Sequence, residues 1–207
     1  MKITTYESEE EWLEARLGRI AGSRAGALIG KRDLKPKKGY YELIAERIAI
    51  PSDGENPMDR GHRIEKEAIE RFSKATKKKV NTDLVIWHRD EDDSIAISPD
   101  GYIEKKVKGV KKIVAGVECK CLNSASHIEA WLTKELPTEY QEQATQYFVV
   151  NDDCDTLFFV FYDPRMPIDL FWIEVKREDR LVEIHAALEM QRKVLAEVAA
   201  IEAQLTF

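Results

Sequence analysis

Cysteine is scarce in this 207-residue chain, with Cys119, Cys121 and Cys154 the only three. An odd number without framework spacing excludes the disulfide scaffold of a small secreted domain. Three thiolates also fall short of the four that hold an iron–sulfur cluster. Cys119 and Cys121 alternate with Lys120 and are expected to face the core from a strand. Long apolar runs are missing as well. No stretch approaches the roughly 20 residues that cross a bilayer, and Met1-Lys2-Ile3-Thr4-Thr5-Tyr6-Glu7 lacks the apolar centre of a signal peptide. A soluble cytoplasmic protein without a membrane partner is expected. An excess of positive charge is absent too: 32 Lys and Arg against 38 Asp and Glu leave a net charge of −6. The distribution is more telling than the sum. Basic residues gather at Lys31, Arg32, Lys35, Lys37 and Lys38, at Lys74, Lys77, Lys78 and Lys79, and at Lys105, Lys106, Lys108, Lys111 and Lys112. Each cluster alone is ordinary solvated surface; three along one chain point to a polyanion.

No internal repeat, low-complexity segment or composition break divides the chain, so residues 1–207 read as a single domain large enough for a real core. Ser8 with Glu11 three residues on forms a capping box for a helix that carries Trp12, Leu13 and Leu17 and stops near Gly18. Ile20-Ala21-Gly22-Ser23 reads as the cap of a second short helix over 24–29. Helical spacing recurs over 40–50, 57–75, 124–131, 137–150 and 177–205, with a turn-rich linker at 51–56. The last helix has Leu181, Ile184, Leu188, Leu195 and Val198 on its apolar stripe. Residues 80–88 and 94–97 alternate as strands around an acidic turn, Asp90 to Asp93. The almost fully apolar run 156–162 predicts a central buried strand, and 168–175 another. The fold class is α/β, a central mixed β-sheet flanked by helices.

The stretch from Ser98 to Lys120 carries the chemistry. Ser98-Pro99-Asp100-Gly101 turns the chain, a lysine-rich run follows, and Gly116-Val117-Glu118-Cys119-Lys120 returns. Alternation puts Glu118 and Lys120 on one face of a strand, and a hairpin would bring Asp100 opposite Glu118. Two carboxylates suit Mg²⁺, which takes one or two from a protein and leaves other positions to water and phosphate. A lysine beside them completes the equipment for metal-assisted phosphodiester hydrolysis. Pro-Asp-Gly alone is a common turn and Glu-x-Lys alone a common surface strand, so their order and the glutamine-bearing helix behind them carry the weight. Tyr140 and Gln143 share a face of that helix by i,i+3 spacing. Ser23, at a helix start, is either a simple cap or a phosphate contact, with Arg16 able to add a two-pronged bond.

Pro99-Asp100 with Glu118-Cys119-Lys120 resembles the PD-(D/E)xK nuclease signature. Trp12 with Arg16-Leu17-Gly18-Arg19-Ile20, Ser23, Gly61 with Glu65, Ser98-Pro99-Asp100-Gly101, Tyr140 with Gln143, and Tyr162-Asp163-Pro164-Arg165-Met166 narrow the resemblance to the phage lambda exonuclease, or YqaJ-like viral recombinase, family. It covers about three quarters of the chain, from Trp12 to Met166. It implies a restriction-endonuclease-like core and a metal held by Asp100, Glu118 and the backbone carbonyl of Cys119. Lys120 would act on the attacking water or the transition-state charge, Gln143 would point into the site, and Glu65 would be a third acid near the metal, directly or through water. Arg16, Ser23 and Ser98 would form a pocket for a 5′-terminal phosphate. Asp90 falls near a family position associated with the site.

The activity implied is Mg²⁺-dependent, with Mn²⁺ able to substitute. It is processive 5′-to-3′ digestion of linear double-stranded DNA, releasing mononucleotides and leaving 3′ single-stranded tails. The family works as a homotrimeric ring beside a single-strand annealing protein, phage- or prophage-encoded in a bacterial host. An endonuclease of the same superfamily and a non-catalytic recombination adaptor are the alternatives. The extended lysine-rich hairpin and the short stretch before Trp12 depart from the family pattern.

Overall fold

The computed structural model describes residues 1–31, 34, 37, 39, 40, 43, 59–122, 124–164 and 168–205. Most of the helix expected over 40–50, the 51–56 linker, Pro57, Arg165, Met166 and part of the first basic cluster lie outside the described residues.

The strands sort into two sheets. β1 (Lys2–Thr5), β2 (Val85–Arg89) and β3 (Asp92–Ile97) form an antiparallel sheet in that order. β4 (Gly101–Val107), β5 (Val110–Lys120), β6 (Thr156–Tyr162) and β7 (Leu170–Lys176) form a mixed sheet, parallel only between β5 and β6. The mixed sheet is the expected one. The small antiparallel sheet is additional, and it depends on β1, a four-residue mostly exposed strand that local pattern does not reveal.

The apolar run of β6 has a direct cause. Leu157, Phe159 and Phe161 enter one hydrophobic cluster, whereas Phe158, Val160 and Tyr162 enter another with Ala68, Ile69 and Phe72 of the helix Asp59–Thr76. Both faces are covered, so alternation disappears and every position after Thr156 is apolar or aromatic.

The helix Gln141–Val150 lies between the sheets and is buried from Ala144 through Val150. Tyr147 meets Trp87 of β2 edge-on, with centroids 5.7 Å apart, and closes on Gly116 of β5. Polar bonds fix its position. Gln146 Nε2 donates to the carbonyls of Ile20 (3.0 Å) and Ala96 (3.2 Å), and Gln191 of the helix Leu181–Leu205 donates to Gln146 Oε1. Arg180 donates to Gln141 at one end, and Arg177 to the carbonyls of Phe148 and Asn151 at the other, where unpaired carbonyls attract a cation.

Several expectations change. Ser8 does cap its helix, accepting the Glu11 N–H at 3.2 Å, but the helix ends at Glu14. Residues 24–29 are not an α-helix: a 3₁₀ helix spans Gly22–Ala27 after Ala21, which makes no side-chain cap bond. Leu181 is exposed, and Gln191 occupies a core position instead. Cys119 is buried but Cys121 is exposed, because β5 ends at Lys120 and the chain turns outward. Asp90 pairs with the Met1 amino group at the edge of the small sheet.

Candidate active site

The β4–β5 register sets the site. Gly101 pairs with Val117, so Asp100, one residue earlier, comes opposite Glu118. Asp100 Oδ2 accepts the backbone N–H of Cys119 at 2.7 Å. Glu118 is 4% exposed, which makes an unpaired carboxylate there untenable. It is paired three times: Oε1 accepts from Lys120 Nζ at 2.7 Å and from Gln143 Nε2 at 2.5 Å, and Oε2 accepts from the Tyr147 hydroxyl at 2.5 Å. A carboxylate offers about four acceptor positions, so one remains open. Lys120 Nζ also lies 5.0 Å from the centroid of the Tyr140 ring, a cation–π contact.

Gln143 and Tyr147 are four apart on one helix and reach opposite oxygens of the same carboxylate. Tyr147 was not identified from sequence. Its spacing from Tyr140 and Gln143, on one helical face, is the signal that could have found it. Its ring fits because residue 116 is glycine: a Cβ there would stand 2.6 Å from two ring carbons of Tyr147 and 3.0 Å from Leu157 Cδ1. Gly116→Ala is therefore expected to destabilise the fold by about 1–3 kcal/mol through overpacking and to lower activity, by moving Tyr147 off Glu118. Chemical denaturation beside a cleavage assay checks both.

The charged groups of the site act on one another. Burial raises the Asp100 carboxyl well above the usual carboxylate range. The Glu118 charge raises it further and Glu65 adds to this, while the Cys119 N–H and Lys120 oppose. Glu65 is thus close enough to act on Asp100. Burial pulls the Lys120 ammonium down, but the attraction and hydrogen bond of Glu118, with Asp100, outweigh it and leave the pKa raised. Lys120 is a protonated cation at neutral pH. Burial also lowers the Arg16 guanidinium, against the pull of Glu118 and Asp100; it stacks 4.6 Å from the Trp12 ring centroid.

Among the described residues, no three His, Cys, Asp or Glu side chains form a ready metal cage. Two carboxylates with a vacant lone pair, beside a backbone carbonyl, fit the sparse protein ligation of Mg²⁺ better than the closed four-ligand set of structural zinc.

The site opens to a cleft of about 710 Å³ bordered by Ser23, Lys37, Lys120, Tyr140, Glu142 and Gln143. Ser23 is exposed on the 3₁₀ helix and caps nothing. The Ser98 hydroxyl is buried and has no hydrogen-bond partner among the described residues, an orphan that a ligand oxygen could satisfy. The 3₁₀ helix is too short to supply the dipole expected of a longer α-helix, so any anion here must be held by side chains.

A family model described as "YqaJ-like viral recombinase domain" matches residues 11–153. Among solved structures, the chain is similar to an alkaline exonuclease, LHK-Exo, from Laribacter hongkongensis. The identity is 26% over 95% of this chain and 97% of that one, with a TM-score of 0.74. The same protein in complex with dAMP matches equally well. No curated protein sequence matches the chain.

Proposed function

Because the chain belongs to the YqaJ-like viral recombinase domain family, we propose that it is a divalent-metal-dependent deoxyribonuclease. It digests the 5′-ended strand of linear duplex DNA from an end, processively, and leaves 3′ single-stranded tails for annealing-type recombination. The observation that carries this reading is the convergence of Asp100, Glu118, Lys120 and Gln143 at one point. The similar alkaline exonuclease is solved with dAMP, a mononucleotide of the kind such digestion releases.

Asp100, Glu118 and the Cys119 carbonyl would hold Mg²⁺, for which Mn²⁺ can substitute, with Glu65 contributing directly or through water. When bound, the ion makes a coordinated water easier to deprotonate and neutralises charge growing on the phosphate oxygens. Lys120, kept protonated, places its ammonium beside the reacting phosphate and stabilises the charge that develops there. Gln143 and Tyr147 hold the Glu118 carboxylate in one orientation.

Arg16, Ser23 and Ser98 bind the terminal 5′-phosphate. Each cut on that strand regenerates the group they recognise, which favours repeated cutting with one polarity. The family context also supports a homotrimeric ring and an annealing-protein partner, in the bacterial cell that hosts the phage or prophage.

An end-labelled linear duplex, with and without Mg²⁺, tests the reading. Metal-dependent release of mononucleotides from the 5′-ended strand is expected. Digestion of covalently closed circles would replace the exonuclease by an endonuclease, and no release at all would leave a non-catalytic adaptor. Substrates with 5′-phosphate should be digested faster than those with 5′-hydroxyl, and Arg16→Ala should remove that preference. A preference that survives the substitution would put the phosphate elsewhere.

A further inference from the structure

The far end of the site's own hairpin is a separate feature. β6 first pairs with β5 at Ala115, and one further bond joins Asp155 N–H to the Val114 carbonyl. Beyond that point no third strand joins the hairpin among the described residues; Ile113, paired with Glu104, is still buried and accepts from Asn151 Nδ2 at 3.2 Å, and the pairs Lys105–Lys112, Lys106–Lys111 and Val107–Val110 run on past it. The hairpin closes through Lys108 and Gly109, both at positive φ, +51° and +84°, the conformation of a two-residue type I′ turn. The result is a two-stranded ribbon whose edges pair with no further strand among the described residues.

Its charge runs against that of the chain. Residues 104–113 hold five lysines and one glutamate, a net +4, in a protein of net −6. Two cross-strand pairs set lysine directly opposite lysine, which destabilises a ribbon. Lys111 is held by Glu104 at 3.2 Å and Lys112 by Asp153 at 2.7 Å. Lys105, Lys106 and Lys108 are exposed and have no acidic partner among the described residues. Free edges need charge against edge-to-edge pairing, but acids would serve equally in an acidic protein. A groove of about 510 Å³ runs beside the ribbon, where Lys79, Lys105, Lys106 and Lys111 outnumber Asp83 and Glu104.

Position decides what the ribbon does. Lys111 and Lys120 are nine residues apart on one strand, about 30 Å at the rise of an extended chain. The ribbon cannot touch the bond being cut. That length corresponds to about nine base pairs of duplex.

We propose that the ribbon is a second DNA contact, gripping the phosphate backbone of the duplex about 30 Å from the catalytic lysine. The inference rests on the nuclease reading above. Lys105, Lys106 and Lys108 supply a sequence-independent contact suited to holding a substrate between successive cuts.

Binding to duplexes of about 8 and about 30 base pairs, measured in EDTA across a salt series, tests this. Each phosphate neutralised contributes about 0.9 to the slope of log affinity against log salt. The variant K105Q/K106Q/K108Q should therefore show a long-duplex slope shallower by about 2–3, and its long-to-short affinity ratio should fall about tenfold or more. Replacement of the same three residues by arginine should restore both. An unchanged long-duplex slope would assign the lysines to edge protection or to an acidic protein partner, and would overturn the proposal. Equal losses on both lengths would place the contact at the site itself and overturn it too. Wild-type protein that neither binds nor cleaves DNA would instead remove the nuclease reading underneath, a result separable from any behaviour of the variant.

Discussion

Lys120→Ala should lower DNA cleavage by about 10²–10³ while leaving duplex binding nearly intact. The magnitude is that of removing one fixed donor aimed at developing charge in a site shielded from water. The structure makes Lys120 suitable for that role: its side chain is 21% exposed, and its ammonium lies 2.7 Å from Glu118 Oε1 and stays protonated because the attraction and hydrogen bond of Glu118, with Asp100, outweigh burial. A lysine held charged beside Glu118 is suited to stabilising anionic oxygen. Binding should survive, because an exonuclease substrate makes many phosphate contacts and loses one. Glu118 keeps Gln143 and Tyr147 as donors, so its carboxylate stays oriented. Single-turnover cleavage at saturating Mg²⁺, beside filter binding in EDTA, separates the two effects. Cleavage within a few-fold of wild type would remove Lys120 from the chemistry.

The reasons the site was legible are physical. A strand has period two, so Glu118 and Lys120 share a face wherever the strand lies. A tight hairpin brings Asp100 to Glu118 whatever the rest of the chain does, and the register bears this out. Gln143 needed more than period, since its helix reaches β5 only through packing that sequence does not display; the resemblance to a family supplied it. Tyr147 escaped because it looks like a core aromatic, and it is one, except that its hydroxyl ends on Glu118. The same limit hid β1, whose pairing with β2 spans about eighty residues and leaves no local mark.

The basic clusters show a further gap. Lys105 to Lys112 stand close to Asp100 and Glu118 in numbering and far from them in space, because a strand of eleven residues separates turn from site. The short helix at Ser23 was misjudged for another reason: six residues, all but Arg24 with small side chains, fit the tighter 3₁₀ winding in the space beneath Ile97, Gln143 and Glu142. Gly22 and Gly26 allow that approach, since a Cβ on either would meet a neighbouring carbon at 2.8 Å.

Asp100→Asn should abolish cleavage and at the same time stabilise the metal-free protein. The sign follows from the carboxyl's raised pKa in the fold. A group whose pKa is higher folded than unfolded holds its negative charge less willingly in the native state. At neutral pH Asp100 therefore subtracts from stability, whether it keeps its charge against burial and Glu118 or takes up a proton. Burial is the first cause and the Glu118 charge the second, and a neutral amide removes both. The attractions it forfeits, to the Cys119 N–H and to Lys120, are the smaller side of the balance, and the Asn oxygen can still accept the Cys119 N–H. The melting temperature should rise by about 2–4 °C for each kcal/mol of repulsion relieved, the scale for a chain of this size. With Mg²⁺ or Mn²⁺ the order should reverse. A wild-type site filled at a hundredfold excess over Kd gains about 2.7 kcal/mol, and the variant, one carboxylate short, should gain much less. Thermal melts of both proteins in EDTA and in a metal titration read this without any cleavage assay. A variant that melts lower than wild type in EDTA, or that gains as much from metal, would show that Asp100 and Glu118 are not a mutually repelling carboxylate pair that binds a cation.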